Sequence, residues 1–187
     1  MTHAFLYASG LMSDLGTLGG TNSRGYGINS AGQTTGYSSV AGNAESHAFL
    51  YSGGVMSDLG DLGGSYSEGF AINSSGEVAG YSYLAGDAIF HAFLYSGGVM
   101  TDLNGLLPSG SGWDLEIAYG INDSGQITGA GVIDGEIHAF VLTPTTVAPE
   151  PGDSVLVATG LLGLLVIGRR RHVLNTGSLS RGLEALH

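Results

Sequence analysis

Residues 47–60 read HAFLYSGGVMSDLG and residues 91–104 read HAFLYSGGVMTDLN, so the two segments are identical at twelve of fourteen positions. The HAFLY motif also begins at His3, and a fourth copy, HAFVL, begins at His138. Successive copies are separated by 44, 44 and 47 residues. A fixed period of this size is typical of repeat proteins, and the near-identity of the two central copies indicates a recent duplication.

A second motif, GIN or AIN, recurs with its isoleucine at Ile28, Ile72 and Ile121. In every copy the motif ends in an asparagine that can start an Asx turn, and a glycine that tolerates left-handed backbone follows three residues later. Together these residues predict a tight hairpin. TTGYS, EVAGYS or QITGAG follows as a second strand. HAFLY and the LMSDL-type segment supply the third and fourth, so each unit is predicted to contain four short antiparallel strands.

The HAFLY strand carries side chains that need cover on both faces. Because successive side chains of a strand alternate, His, Phe and Tyr point to one face and Ala and Leu to the other. We therefore predict sheets stacked face to face. The period matches a propeller blade, for which repeats of about 40 to 50 residues are usual.

We predict an all-β fold of antiparallel, propeller-like units near residues 3–20, 21–64, 65–108 and 109–142. The pattern predicts two, four, four and three strands in these units, which is about three blades. Closed propellers usually contain about four to eight blades. An incomplete or open array is therefore expected.

Charge divides the chain into two physically different parts. Residues 1–153 contain one basic residue, Arg24, against fifteen acidic ones, whereas residues 154–187 contain four arginines and one glutamate. The net charge of −11 argues against a nucleic-acid partner. The chain has no cysteine, which excludes disulfides and Cys-ligated metal centres.

The C-terminal part begins with a Pro-rich linker, residues 143–153. An uncharged apolar run then starts at Val155 and ends at Gly168. Its fourteen residues would span about 21 Å as a helix, short of the roughly 30 Å hydrocarbon core, and this length alone favours a buried core helix or the hydrophobic region of a signal peptide. The repeats leave no sheet face that a core helix would have to cover. The three arginines that follow the run are typical of the cytoplasmic end of a membrane-spanning segment. We therefore predict a hydrophobic, membrane-inserting helix with its Arg cluster over residues 154–171, and a polar tail over 172–187.

The repeats resemble the bacterial extracellular HAF repeat, whose units carry HAFLY, a D-L-G-x-L-G-G segment and a G-I-N-x-x-G-x-x-x-G-Y segment. Here DLGTLGG begins at Asp14, DLGDLGG begins at Asp58, and a degraded DLNGLLPSG begins at Asp102. The resemblance covers residues 1–142. It implies an exported surface protein with a propeller-like array, and it implies no particular chemistry.

The C-terminal part resembles the PEP-CTERM sorting signal of Gram-negative bacteria, also labelled an ice-binding protein C-terminal domain. The matching parts stand in the family's order: the PEP motif, then the apolar run, then the Arg cluster, with the motif residues Pro149, Glu150, Pro151, Arg169, Arg170 and Arg171. The resemblance implies processing near the PEP motif by a membrane-embedded exosortase. Family members usually end within a few residues of the arginines, so the tail HVLNTGSLSRGLEALH departs from the pattern.

The sequence contains no G-x-S-x-G, P-loop, HExxH or EF-hand motif. We predict no enzyme activity, cofactor or metal site. Residues that recur once per unit are interpreted as structural, since a catalytic group is seldom copied into every blade: the histidines at 3, 47, 91 and 138, and the aspartates at 14, 58 and 102. The internal histidines, His47 and His91, are expected to be largely buried and hydrogen-bonded locally.

Trp113, in the enlarged loop of the last unit, has two readings. It is predicted either to pack over the end of a blade or to form a platform for a sugar or other ligand.

These observations predict an exported cell-envelope repeat protein, sorted by its C-terminal signal and acting as a surface or matrix component by binding. Its predicted partners are an exosortase-type enzyme, the inner membrane through the apolar run, and extracellular polysaccharide or other envelope components. Met1 leads straight into HAFLY without a signal peptide, so a longer exported precursor is expected. The alternatives are a propeller-enzyme fragment whose catalytic part lies upstream, and a simple membrane anchor without processing.

Overall fold

A computed structural model describes residues 1–145 and 163–166. These residues form fourteen β-strands and one short 3-10 helix, so the fold is all-β, as predicted. The first unit is a hairpin of β1 (Phe5–Ala8) and β2 (Leu11–Asp14). The second unit contains β3 (Gly19–Ile28), β4 (Thr34–Val40), β5 (Ser46–Ser52) and β6 (Val55–Asp58).

The third and fourth units repeat this plan. The third contains β7 (Gly63–Ile72), β8 (Val78–Leu84), β9 (Phe90–Ser96) and β10 (Val99–Asp102), followed by the 3-10 helix Leu103–Leu106. The fourth contains β11 (Trp113–Ile121), β12 (Ile127–Ile133), β13 (Glu136–Thr145) and β14 (Gly163–Val166). Within each unit, neighbouring strands pair antiparallel.

The turn between the first two strands of each unit follows the predicted Asx chemistry. The Asn29 side-chain oxygen accepts hydrogen bonds from the backbone N–H groups of Ala31 at 3.1 Å and Gln33 at 3.0 Å. Asn73 and Asn122 hold their turns in the same way. The glycine in each of these turns has a positive φ, between 73° and 80°. The hairpin prediction is confirmed.

Consecutive units stack face to face, and the HAF strand explains why. A single parallel pair, Ser46↔Tyr66 between β5 and β7, also joins the second and third units into one eight-stranded sheet. Ala48 and Phe49 lie on opposite faces of β5, and both are completely buried. Ala48 packs with Phe93 of the third unit, whereas Phe49 packs with Ala4 and Leu15 of the first. One strand therefore supplies apolar side chains to two interfaces, as its composition predicted.

Three hydrophobic cores result, one at each junction between units. The core between the third and fourth units has nine buried members: Ala79, Ala92, Leu94, Leu103, Leu115, Ala118, Ile127, Phe140 and Leu142. The core between the second and third units has five: Ala48, Leu59, Ile72, Val78 and Phe93. Over residues 1–145 and 163–166 the stacked sheets form no closed barrel or ring.

A buried serine on the first strand joins each of the two internal units to the unit before it. The Ser67 hydroxyl accepts a hydrogen bond from Ala48 N at 2.8 Å and donates one to the Gly60 carbonyl at 2.5 Å. Ser23 repeats both bonds one period earlier, with Ala4 and Gly16. The serine thus satisfies a backbone donor and a backbone acceptor of the preceding unit.

The C-terminal apolar run differs from the prediction where the structure describes it. Gly163–Val166 is a strand, and it pairs antiparallel with β13 from Leu142↔Val166 to Thr145↔Gly163. The predicted helix is therefore wrong at these four residues. The free edge of β13 offers unpaired backbone groups, and branched aliphatic residues suit an extended strand.

This strand also corrects the predicted strand count of the fourth unit, because β14 pairs with β13 on the same edge that β6 and β10 occupy in the other units. The fourth unit therefore has four strands instead of three. The rest of the predicted helix, the PEP motif and the Arg cluster lie outside the described residues. Within the described part of the chain, no helix is long and apolar enough to cross a membrane.

Candidate functional site

Three of the four recurring histidines are hydrogen-bonded to the aspartate eleven positions further along the chain. The Nδ1–Oδ2 distance is 2.7 Å for His3–Asp14, 2.9 Å for His47–Asp58 and 2.7 Å for His91–Asp102. The side chains of His47 and His91 are 12% and 17% exposed. The prediction that these two internal histidines are largely buried and locally bonded is confirmed.

The recurring aspartates also hold the turn that follows them. The Oδ1 atom of Asp58 accepts a hydrogen bond from Gly60 N at 2.7 Å. In the same way, Asp14 Oδ1 accepts from Gly16 N and Asp102 Oδ1 accepts from Asn104 N. The hydrogen bond from His3, with a smaller contribution from the Gly16 N–H, lowers the pKa of Asp14. The predicted turn role is confirmed. No group of three or more potential metal ligands is clustered within residues 1–145 and 163–166.

Trp113 is half-buried and packs against the core between the third and fourth units. Its ring lies edge-on to the ring of His138, with 6.2 Å between centroids. Trp113 therefore packs as the first interpretation predicted. Its role as a ligand platform stays a prediction.

Eight aromatic side chains contact one another in an unbroken series across the second, third and fourth units. Neighbouring ring centroids in this aromatic band are 5.5–6.3 Å apart. The members are Tyr26, Tyr37, Tyr66, Phe70, Tyr81, Tyr83, Phe90 and Tyr119. Sequence reasoning missed this band, although the aromatic residue before GIN or AIN and the tyrosine of GYS both recur at the repeat period.

The first strand of each unit positions the band. Tyr26, Phe70 and Tyr119 occupy equivalent positions on β3, β7 and β11, and their rings follow one another at 5.6 and 5.7 Å. A Cβ on Gly27 would come within 2.9 Å of the Phe70 carbonyl oxygen and 3.2 Å of Ala71 Cα. Glycine at this position therefore permits the close approach of β3 to β7.

Asparagine side chains hold the ends of these first strands together. Asn29 Nδ2 donates to the Asn73 carbonyl at 2.9 Å, and Asn73 Nδ2 donates to the Asn122 carbonyl at 3.3 Å. The same asparagines hold the hairpin turns. In the second and third units one asparagine thus serves both the local turn and the junction with the next unit.

A solvent-open cleft of about 380 Å³ lies beside the band in the third unit, lined by Ser65, Tyr66, Tyr81, Tyr83 and Asp87. The three tyrosine rings are mutually in contact, with centroid separations of 6.0, 6.1 and 6.3 Å. Asp87 is fixed at the rim because its Oδ1 atom accepts a hydrogen bond from Ser65 N at 2.7 Å. The cleft thus combines apolar ring faces with hydroxyl and carboxylate groups.

Glu68 is the buried charged group of this region, only 7% exposed. It lies on β7 in register with Tyr81. Burial, followed by the Glu68 charge, raises the pKa values of Tyr66 and Tyr81 well above the usual range. The pKa of Tyr26 is also raised, by burial first and then by Glu68. The shifts extend to higher pH the range in which these three hydroxyls are protonated and can both donate and accept hydrogen bonds.

Comparison with known protein families, with curated proteins and with solved structures finds no match for this chain. The candidate site is therefore defined by its own geometry.

Proposed function

We propose that this is an exported cell-envelope protein whose β repeats bind other components by surface contact and whose C-terminal segment carries a sorting signal. The binding role is supported by a difference between two sets of recurring residues: one set is used in bonds inside the protein, and the other is partly exposed. Three of the four recurring histidines, together with the recurring aspartates, buried serines and turn asparagines, are committed to bonds within and between units. The aromatic band is instead partly open to solvent, with Tyr26 46% and Tyr119 55% exposed.

The proposal includes a propeller-like course for the array. Two observations support it: sheets stack face to face, and the first strands of successive units lie side by side through the contacts of Tyr26, Phe70 and Tyr119. In such an array the first strands line the inner side, as the innermost strand of each blade does in a propeller.

The proposed sorting signal consists of Pro149, Glu150 and Pro151, the apolar run, and the arginines that follow, in that order. An exosortase-type enzyme is the proposed processing partner, and the inner membrane is the proposed site of insertion. Membrane entry requires Gly163–Val166 to leave the edge of β13. This pairing is only four residues long, and each backbone hydrogen bond contributes about 0.5–1.5 kcal/mol net, so the step is accessible.

The test uses the full chain behind an added signal peptide, in bacterial hosts with and without an exosortase. We expect a loss of mass and release from the membrane fraction only in the host that contains the enzyme. Replacing Pro149 and Pro151 together by alanine should abolish both changes, whereas alanine at Pro108, an exposed proline of the repeats, should not. An unchanged mass in both hosts would leave the chain a simple membrane anchor.

A truncation separates sorting from folding. Deleting residues 149–187 removes β14 but none of the buried residues of the three cores. We expect the repeats to stay folded, with the free energy of unfolding lowered by about 1–3 kcal/mol through the lost edge hydrogen bonds. Urea unfolding monitored by circular dichroism measures this. Complete unfolding of the truncated chain would show that the segment is a core element.

A further inference from the structure

We propose that the aromatic band and the cleft of the third unit together bind an uncharged polysaccharide. The inference rests on the proposed surface-binding function and specifies its ligand class. It starts from a difference between two repeats that are otherwise closely similar.

The second and third units are related by an offset of 44 residues, and the third unit has gained aromatic and acidic residues around the cleft. At equivalent positions, Asn22, Arg24, Ser39, Asn43 and Ser46 of the second unit are replaced by Tyr66, Glu68, Tyr83, Asp87 and Phe90. The fold does not require these rings, because the second unit forms the same four strands without them. Tyr66, Tyr83 and Asp87 of this set line one cleft, and the Phe90 ring contacts Tyr83 at its side. This clustering favours a ligand-binding role over a packing role.

The chemistry of the cleft matches a sugar ring. A sugar presents an apolar face of C–H groups that can stack on an aromatic ring, and a rim of hydroxyls that seek hydrogen bonds. The rings of Tyr66, Tyr81 and Tyr83, which line the cleft, supply the first contact. Their hydroxyls, with Ser65 and the Asp87 carboxylate, supply donors and acceptors for the second.

Charge selects an uncharged ligand. Arg24 is the only basic residue before position 154, against fifteen acidic residues, so an anionic polymer is repelled. A cation gains less in the cleft than this composition suggests, because the Glu68 carboxylate is buried and one oxygen of Asp87 already accepts a hydrogen bond from Ser65 N. A cationic glycan is therefore included among the probes below.

The extent of the band selects a polymer. Tyr26 and Tyr119, at opposite ends of the first-strand series, are 46% and 55% exposed, and Phe70 connects them. A monosaccharide would occupy the cleft alone, whereas a chain can continue along the rings of three units. Affinity is therefore expected to rise with chain length.

The experiment measures binding of the full chain to soluble polysaccharides by affinity electrophoresis and calorimetry. The uncharged probes are laminarin, hydroxyethylcellulose, galactomannan and dextran; alginate is the anionic probe and chitosan oligomer the cationic one. We expect at least one uncharged probe to bind more tightly than both charged probes, and its hexasaccharide to bind more tightly than its monosaccharide. Binding to none of the uncharged probes, or binding of alginate or chitosan oligomer as tight as that of the best uncharged probe, overturns the proposal.

The matched variant carries Tyr66→Asn and Tyr83→Ser, the residues that the second unit has at these positions. Affinity for the bound glycan should fall about tenfold or more, the effect of removing a stacked ring. The control Tyr7→Ser removes an exposed ring on β1, outside the band, and should leave affinity unchanged. Full affinity in the folded double variant overturns the proposal.

If the double variant does not fold, Tyr119→Ser decides, since this ring is exposed at the end of the band. Weaker binding of the hexasaccharide supports the proposal, and unchanged binding overturns it. Because processing at the PEP motif is measured separately, failure of glycan binding is distinguishable from failure of the proposed sorting function.

Discussion

The junction between the second and third units and the junction between the third and fourth solve the same packing problem with different residues. The former uses the hydroxyl of Ser67 and a core of five buried side chains. The latter uses Asn104, whose side chain bonds both backbone groups of Leu115, at 2.8 and 2.9 Å, beside a core of nine. The comparison shows that two units can stack in the same way although both the hydrogen-bonding side chain and the core residues at the junction differ.

The replacement coincides with the degraded DLN motif. Asp102 caps the 3-10 helix Leu103–Leu106 by accepting from Asn104 N, and this helix buries Leu103 in the larger core. Leu106 and Leu107 pack against the same core. The enlarged loop thus converts a tight turn into an additional hydrophobic layer at the last junction.

Removal of the buried phenylalanine of the HAF motif should break either junction. Phe93 belongs to the smaller core and Phe140 to the larger, and both side chains are almost completely buried. We expect Phe93→Ala and Phe140→Ala each to lower the free energy of unfolding by about 3–5 kcal/mol. Urea unfolding is the measurement.

The control for these variants is Val99→Ala, at an exposed position of β10, which should change stability by about 0.5 kcal/mol or less. A loss below about 1 kcal/mol for either phenylalanine would contradict its placement in a core.

The polar bonds of the two junctions should contribute similar, smaller amounts. Ser67→Ala leaves Ala48 N and the Gly60 carbonyl without their partner, and Asn104→Ala does the same to Leu115. Each loss is expected to cost about 1–3 kcal/mol. The two effects should add in the double variant, because the residues share no partner. A strong non-additive term would show that the two junctions are coupled.

The smallest expected effect is a pH dependence confined to the last junction. Asp123 Oδ1 accepts a hydrogen bond from Ser74 N at 2.8 Å, and this bond lowers the pKa of Asp123 below its ordinary value of 3.8. A depressed folded-state pKa stabilises the protein above the unfolded value, and that contribution is lost as pH falls through the folded value. Wild type should therefore exceed Asp123→Asn in stability at pH 6, and the difference should begin to fall near the ordinary pKa of 3.8 and vanish below the lowered pKa of folded Asp123.

Thermal unfolding across this pH range measures the effect of Asp123. Asp134→Asn, at an exposed turn position with no such bond to another unit, serves as the matched control. A pH-independent difference between wild type and Asp123→Asn would contradict the linkage.

Local chemistry alone was enough to predict the strands, the Asx turns at Asn29, Asn73 and Asn122, and the stacking of sheets on both faces of HAFLY. These features depend on residues a few positions apart and on the alternation of side chains along a strand. The structural interpretation of His47 and Asp58 was also readable from their recurrence. That they bond each other across the hairpin of β5 and β6 became visible only in the fold.

The aromatic band and the strand Gly163–Val166 were decided by tertiary structure. Tyr26 meets Phe70 only when two units stack, because the contact joins residues 44 positions apart. The apolar residues near 163–166 are compatible with a helix or a strand, and the open edge of β13 selects the strand by offering backbone hydrogen bonds. Sequence by itself therefore determined the repeat and its local hairpins, whereas the stacking of one repeat on the next decided which side chains share a surface.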